Sequence, residues 1–185
     1  MKQINNRSLS KLFSGVGVGL LLLFLFSSCR EDKPQVPANK LPKSTLNQDL
    51  IEMNRGFVEL ERADIRHYID SLCLKMDSTG LGIRYHISKE GSKDTVAVGA
   101  EVTVRYSITM LDGMGCDDLR DVEKTFKMGT GKVEKGIEEA VKLLHVSGEG
   151  EFIIPSYLAY GVSGYKDCVA PWSPIFCKIN LIESK

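Results

Sequence analysis

Side chains able to do covalent or metal chemistry are few in this chain: five cysteines at 29, 73, 116, 168 and 177, and three histidines, His67, His86 and His145. The histidines lie far apart, and none has a cysteine or carboxylate at the spacing of a zinc site, so no metal is expected. Gly129-Thr-Gly-Lys132 lacks the six-residue frame and the Ser/Thr of a phosphate loop and reads as a turn. Gly161-Val-Ser-Gly164 is one residue short of a nucleophile elbow and has no partner histidine. Trp172, in a loop after Pro171, reads as a cap on the core rather than a ligand contact. No feature calls for a cofactor. The thiols remain, and the first of them is set apart by what precedes it.

Lys2, Arg7 and Lys11 are followed by fifteen apolar or small residues from Leu12 to Phe26, then by Ser27, Ser28 and Cys29. This is the three-part form of a secretory signal peptide, with an apolar run shorter than the roughly 20 residues a membrane-spanning helix needs. Leu25-Phe-Ser-Ser-Cys29 resembles the bacterial lipobox, with Phe26 where Leu is usual. The resemblance implies cleavage before Cys29 and lipidation of its thiol, several acyl chains being needed for a stable anchor. Residues 1–28 are thus assigned as a lipoprotein signal peptide and 29–43, with three of the six prolines, as a solvated tether. Arg30 stands where an inner-membrane retention signal would commonly place Asp. That favours an outer membrane lipoprotein of the bacterial cell envelope, on its periplasmic or its surface face.

The whole chain has 24 basic and 24 acidic residues; setting aside the three basic residues of the signal segment leaves 21 against 24. The mature part is mildly acidic, which offers no general case for a nucleic-acid partner. From about Leu46 to Met76, apolar residues recur at helical spacing (Leu50, Met53, Phe57, Leu60, Ile65, Ile69, Leu72, Met76), with Glu59, Arg62, Arg66 and Asp70 on the other face. The spacing predicts a long amphipathic helix, assigned to 44–77, with Gly56 as a bend point. Such a stripe either packs on the following domain, the favoured reading, or pairs with another copy. Thereafter the period falls to two: Ile83, Tyr85 and Ile87; Val96 and Val98; Val102, Val104 and Tyr106. Leu111-Asp-Gly-Met114 is a turn between apolar runs. One short helix carries Val133, Ile137, Ala140, Val141 and Leu144, and strands 151–154 and 175–182 close the chain. Several antiparallel strands with one short helix give an α+β class for 78–185.

Five segments of this region, in order, carry a specific likeness: 104–113, Thr125-Phe-Lys-Met128, 133–141, Ile154-Pro-Ser-Tyr-Leu-Ala-Tyr-Gly161 and Ala170-Pro-Trp-Ser-Pro-Ile-Phe176. Over roughly 81–183 the chain resembles the FKBP-type peptidyl-prolyl isomerases. With its upstream helix and lipobox, it is similar to the gliding-motility-associated FKBP lipoproteins of Bacteroidetes-type bacteria. The resemblance implies a curved antiparallel sheet wrapped around one short helix, with a shallow apolar pocket between them. It implies Tyr160 as the donor to a substrate carbonyl and Asp117 as a polar group at the rim. Tyr106, Phe126, Val133, Ile137, Tyr165 and Val169 would bind the substrate, a proline-containing polypeptide.

The likeness has departures. Cys116 and Cys177 stand where the family usually places aromatics, Ile137 where it places a pocket-floor tryptophan, and Tyr165 and Cys168 where histidine and isoleucine are common. With Cys29 lipidated, four cysteines remain in an exported protein, which allows three full pairings. In the family fold Cys116, Cys168 and Cys177 border one pocket. The resemblance therefore favours a bridge from Cys116 to Cys168 over one to Cys177, with free buried thiols as the alternative. Two functions follow: a lipid-anchored isomerase assisting the folding of exported proteins, or a non-catalytic binding or chaperone module of an envelope assembly.

Overall fold

A computed structural model describes residues 43–185 except Lys93, with the side chains of residues 43–46 also left aside. The signal segment, Cys29 and the tether lie outside the described residues. None of the described helices is long and apolar enough to cross a membrane.

Helix α1 (Lys43–Ser71) leads into six strands: β1 (Asp77–Ser78), β2 (Arg84–Lys89), β3 (Glu101–Met110), β4 (Val122–Lys127), β5 (Glu149–Ile154) and β6 (Ile175–Ser184). Helix α2 (Lys135–Val141) separates β4 from β5. The strands form one antiparallel sheet in the order β1-β2-β5-β6-β3-β4. The alternation read from residues 102–106 turns one face of β3, which lies between β6 and the edge strand β4, to the core. Val102, Val104, Tyr106 and Ile108 face the core, as do Ile175, Cys177, Ile179 and Leu181 of β6. Ile137, Ala140 and Val141 of α2 fill the concave side of this sheet. Gly136 sits where α2 comes closest: a Cβ there would meet Ile154 Cγ2 at 2.2 Å and the Leu158 carbonyl at 2.9 Å.

The turn after β3 forms as its sequence dictates, with Gly113 at φ 83° and the Asp112 carboxylate accepting from the Met114 N–H at 2.8 Å. Val96 and Val98 form no strand; only Thr95 makes an isolated bridge, to His145. Val98 is exposed and only Val96 rests against the core, so the segment lacks the repeated buried side chains that hold a strand in a sheet.

Helix α1 runs unbroken through Gly56 but stops at Ser71, short of the expected end. Cys73 adopts φ 51°, and the Cys73 and Leu74 N–H groups donate to the carbonyls of Asp70 and Ile69. That left-handed closure ends the helix, and the next residues form β1 instead. The helix packs on its own domain, but through only part of the stripe read from the sequence: Phe57 and Ile65 belong to it, while Glu61 and Tyr68, which also make the contact, do not. Leu60, about 100° round from Glu61, is 66% exposed. The surface it covers is the outer side of β5–β6, where Ile153 is fully buried opposite Phe176, on which the Tyr68 ring rests at 6.4 Å.

Candidate functional site

Each candidate side chain comes to the concave face by a different local route. Tyr106 is on β3, two residues from Val104 and Ile108, so the period of two turns all three inward. Phe126 does the same on β4, paired across from Val102. Val133 precedes α2 and Ile137 lies in its first turn, where the helix meets the sheet. Tyr106, Phe126, Val133, Ile137 and Val169 are all buried in one cluster, against which Tyr160 and Tyr165 are partly buried. The side chains expected to bind substrate are therefore brought together from five stretches of chain.

Tyr160 follows the 3-10 turn Ser156–Leu158 and precedes a second, Gly161–Ser163. Its ring lies against Tyr165, centroids 5.0 Å apart and tilted by 38°. Tyr165 in turn donates its hydroxyl to Asp118 Oδ2 at 3.0 Å. Lys166 also binds that carboxylate and, with the Tyr165 bond, keeps it ionised below the usual carboxylate range. Asp117 sits differently: its side chain is fully in solvent, 3.8 Å from Arg120. The 3-10 turn Asp117–Leu119 buries Cys116 and Leu119, which leaves Asp117 pointing out.

Burial governs the electrostatics. Loss of hydration, with the Glu134 charge second, pushes the Tyr106 hydroxyl up to about 12. The same two causes raise Tyr160 further. Both phenols therefore stay protonated at any physiological pH and are available as neutral hydrogen-bond donors. Cys177, wholly buried, is held as a neutral thiol by the same desolvation and is no nucleophile. Among the described residues, no group of three or more His, Cys, Asp or Glu is placed to hold a metal ion.

A disulfide joins Cys116 to Cys168, Cα atoms 5.5 Å apart, while Cys177 is buried and free and Cys73 exposed and free. The bridge and the Asp118 contacts tie the Asp117–Leu119 turn to the Tyr165–Val169 loop, joining the two stretches that flank the cluster. Sequence reasoning missed Asp118, Glu134 and Glu61. Asp118 and Glu134 sit one residue from positions it singled out, a signal that spacing alone cannot resolve; Glu61 belonged to neither of the two helix faces read from the spacing.

Fold and site together define an α+β half-barrel whose concave face holds an apolar cluster with phenol donors and no nucleophile. The family model described as FKBP-type peptidyl-prolyl cis-trans isomerase matches residues 92–182. The chain is 30% identical over 107 residues to FK506-binding protein 1 of Dictyostelium discoideum, covering 57% of this chain and all of that one. It is also 30% identical over 106 residues to a probable FKBP-type isomerase, FkpA, of Neisseria meningitidis, but spans only 39% of it. Among solved structures, FkpA from Escherichia coli superposes over 100% of this chain and 99% of its own, with a TM-score of 0.56 at 19% identity. A peptidyl-prolyl isomerase from Pseudomonas syringae does so over 69% and 95%, at 0.57 and 23%. The chain belongs to the FKBP-type peptidyl-prolyl cis-trans isomerase family.

Proposed function

We infer that the protein is a peptidyl-prolyl cis-trans isomerase of the bacterial cell envelope, anchored through lipidated Cys29 in the outer membrane and assisting the folding of exported proteins. Its subtype would be that of the gliding-motility-associated lipoproteins. The observation that carries the reading is the pairing of a neutral phenol, Tyr160, with the buried walls of Tyr106, Phe126, Val133, Ile137 and Val169. Relatives named as an outer membrane Mip protein of Legionella longbeachae and a Mip isomerase of Coxiella burnetii support an envelope location.

The chemistry needs no covalent step. Rotation about X-Pro is opposed by roughly 18–20 kcal/mol of lost amide resonance. A twisted amide has less charge separation than the planar one, so an apolar, water-excluding surface favours it relative to the ground state. Tyr106 and Phe126 supply that surface, and the Tyr160 hydroxyl donates to the neighbouring substrate carbonyl and fixes its orientation. Asp117 and Tyr165 lie at the rim, where a flanking residue of the client would pass.

The second reading is a non-catalytic binding or chaperone module. It draws on Cys116, Ile137 and Cys177, which replace aromatics each able to cover some 150–250 Å² and so reshape the pocket. An isomerisation assay on a proline peptide separates the two, comparing wild type with Tyr160→Phe and Asp117→Ala. The isomerase reading expects acceleration by wild type and about a tenfold loss in Tyr160→Phe, the worth of one buried hydrogen bond. No acceleration by clean wild-type protein leaves the binding module. Cys29→Ser tests the anchor: it should release the protein from the membrane fraction.

A further inference from the structure

Phe57, Ile65 and Tyr68, by which α1 meets the domain, are what any helix face would offer. A further contact is a carboxylate. Glu61 is 6% exposed, and both its oxygens are used on one residue, Ser156, itself 1% exposed. The Ser156 N–H donates to Oε1 at 2.5 Å and the Ser156 hydroxyl to Oε2 at 3.0 Å. The charged and titratable groups around it are Arg62 and Asp64 on α1, Arg84 on β2 and Tyr157 on the turn, whose hydroxyl donates to the Leu81 carbonyl. Among the described residues no cation pairs with Glu61; its partners are the two Ser156 donors.

Ser156 opens the 3-10 turn that delivers Tyr160. The residue before it, Pro155, has no side chain able to cap the turn, so the Ser156 N–H would be an unsatisfied buried donor. Glu61 supplies from another element what a Ser or Asp cap would supply locally. The turn closes on itself through Leu158 N–H to the Pro155 carbonyl at 3.0 Å and Ala159 N–H to the Ser156 carbonyl at 2.9 Å, and Tyr160 comes next. On the far side of Tyr160, the Trp172 N–H donates to the Gly161 carbonyl at 2.9 Å, and the Trp172 ring stacks on Phe57 at 4.7 Å. One helix, lying wholly before the family-matched segment 92–182, thus grips the chain on both sides of Tyr160.

We propose that Glu61 is a positioning residue of the isomerase site: by capping the Ser156–Leu158 turn it sets where the Tyr160 hydroxyl stands, which makes α1 a working part of the site. The kinetic consequence rests on the isomerase reading; the placement of Tyr160 does not. Both are tested on the full-length mature protein with three variants. Glu61→Ala removes the cap. Glu61→Gln keeps it, since the amide oxygen accepts from the Ser156 N–H and the amide N–H donates to the hydroxyl. Ile65→Val loosens the same helix contact without touching the cap.

In Glu61→Ala the backbone amide resonances of Ala159 and Tyr160 should move, and exchange of the Ser156–Ala159 amides should quicken by about tenfold or more. The kcat/KM for a proline peptide should fall about ten- to hundredfold, the scale of a sub-ångström to ångström misplacement. Glu61→Gln should restore both to near wild type, and Ile65→Val should lower the melting temperature yet leave both unchanged. Unmoved Tyr160 resonances in Glu61→Ala, or a kcat/KM that follows melting temperature equally in Glu61→Ala and Ile65→Val, overturns the proposal. Shifted and Gln-rescued resonances in a wild type with no isomerase activity uphold the positioning and refute the isomerase reading instead.

Discussion

Reducing the Cys116–Cys168 bridge is the most informative single perturbation of this domain. The two cysteines are 52 residues apart in sequence. On the chain-entropy model, closing a loop of that length removes from the unfolded state the equivalent of about 4 kcal/mol at 25 °C. Little should be lost on the folded side, because Leu119, three residues after Cys116, and Val169, next to Cys168, are independently buried and Asp118 still binds Tyr165 and Lys166. For a folded part of about 140 residues, unfolding entropy is on the order of 0.3 kcal/mol per degree, so the midpoint should drop by about 10–15 °C. The assay is calorimetry with and without a phosphine reductant, beside the Cys116→Ala/Cys168→Ala double variant, which should be insensitive to reductant. Thiol mapping provides the companion test: in denatured but unreduced protein, Cys73 and Cys177 alkylate while Cys116 and Cys168 do not. Full alkylation of all four without reductant, or melting within about 3 °C in the two states, would refute the reasoning.

Gly136→Ala should destabilise the fold. Helix propensity favours alanine by about 1 kcal/mol, but its Cβ would meet Ile154 at 2.2 Å and the Leu158 backbone at 2.9 Å, and overpacking costs about 1–3 kcal/mol; a urea midpoint at or above wild type would contradict this. Tyr106 is raised from 10.0 to about 12 in the fold, so the native state keeps its proton where the unfolded chain has lost it. Stability from this group is complete below pH 10 and falls as pH rises towards 12; Tyr106→Phe should flatten that alkaline loss in chemical denaturation curves, and an unchanged slope counts against the desolvation argument. Burial raises Glu61 above its ordinary 4.5, so its ionisation costs stability as pH rises through the folded value. Glu61→Gln should therefore gain more in melting temperature at pH 7 than at pH 4, and an equal gain at both would tell against this. Phe57→Ala should red-shift and broaden the emission of Trp172, the only tryptophan, and lower stability by about 1 kcal/mol; an unaltered spectrum would mean the stack does not form.

Residues 102–106 and 175–182 announce their strands because a half-buried strand repeats every two residues, a pattern written into the local sequence. The Asp-Gly turn at 112–113 is equally local. The end of α1 was not legible, since apolar residues continue at helical spacing past Ser71 while the backbone turns left-handed at Cys73. Nor was its contact face: Leu50, Met53 and Leu60 look like the buried stripe and are exposed. Periodicity reports that a helix has an apolar side, not which residues meet a partner surface.

By itself the sequence determined the α+β class, the strands at 102–106, 151–154 and 175–182, and the apolar residues Tyr106, Phe126, Val133, Ile137 and Val169 that gather in one cluster. These follow from the periodicity of hydrophobic residues and from five ordered segments shared with a family. The same sequence put a strand at 96–98 where none forms and showed none at β1 or β4. The family resemblance favoured the Cys116–Cys168 bridge, which the structure forms. Only the tertiary structure decided that Asp118 rather than Asp117 holds Tyr165 and that Glu61, 95 residues before Ser156, caps the turn before Tyr160. Those are pairings between groups distant in sequence, set by where sheet, helix and loops come to rest, and no local pattern of residue types carries that information.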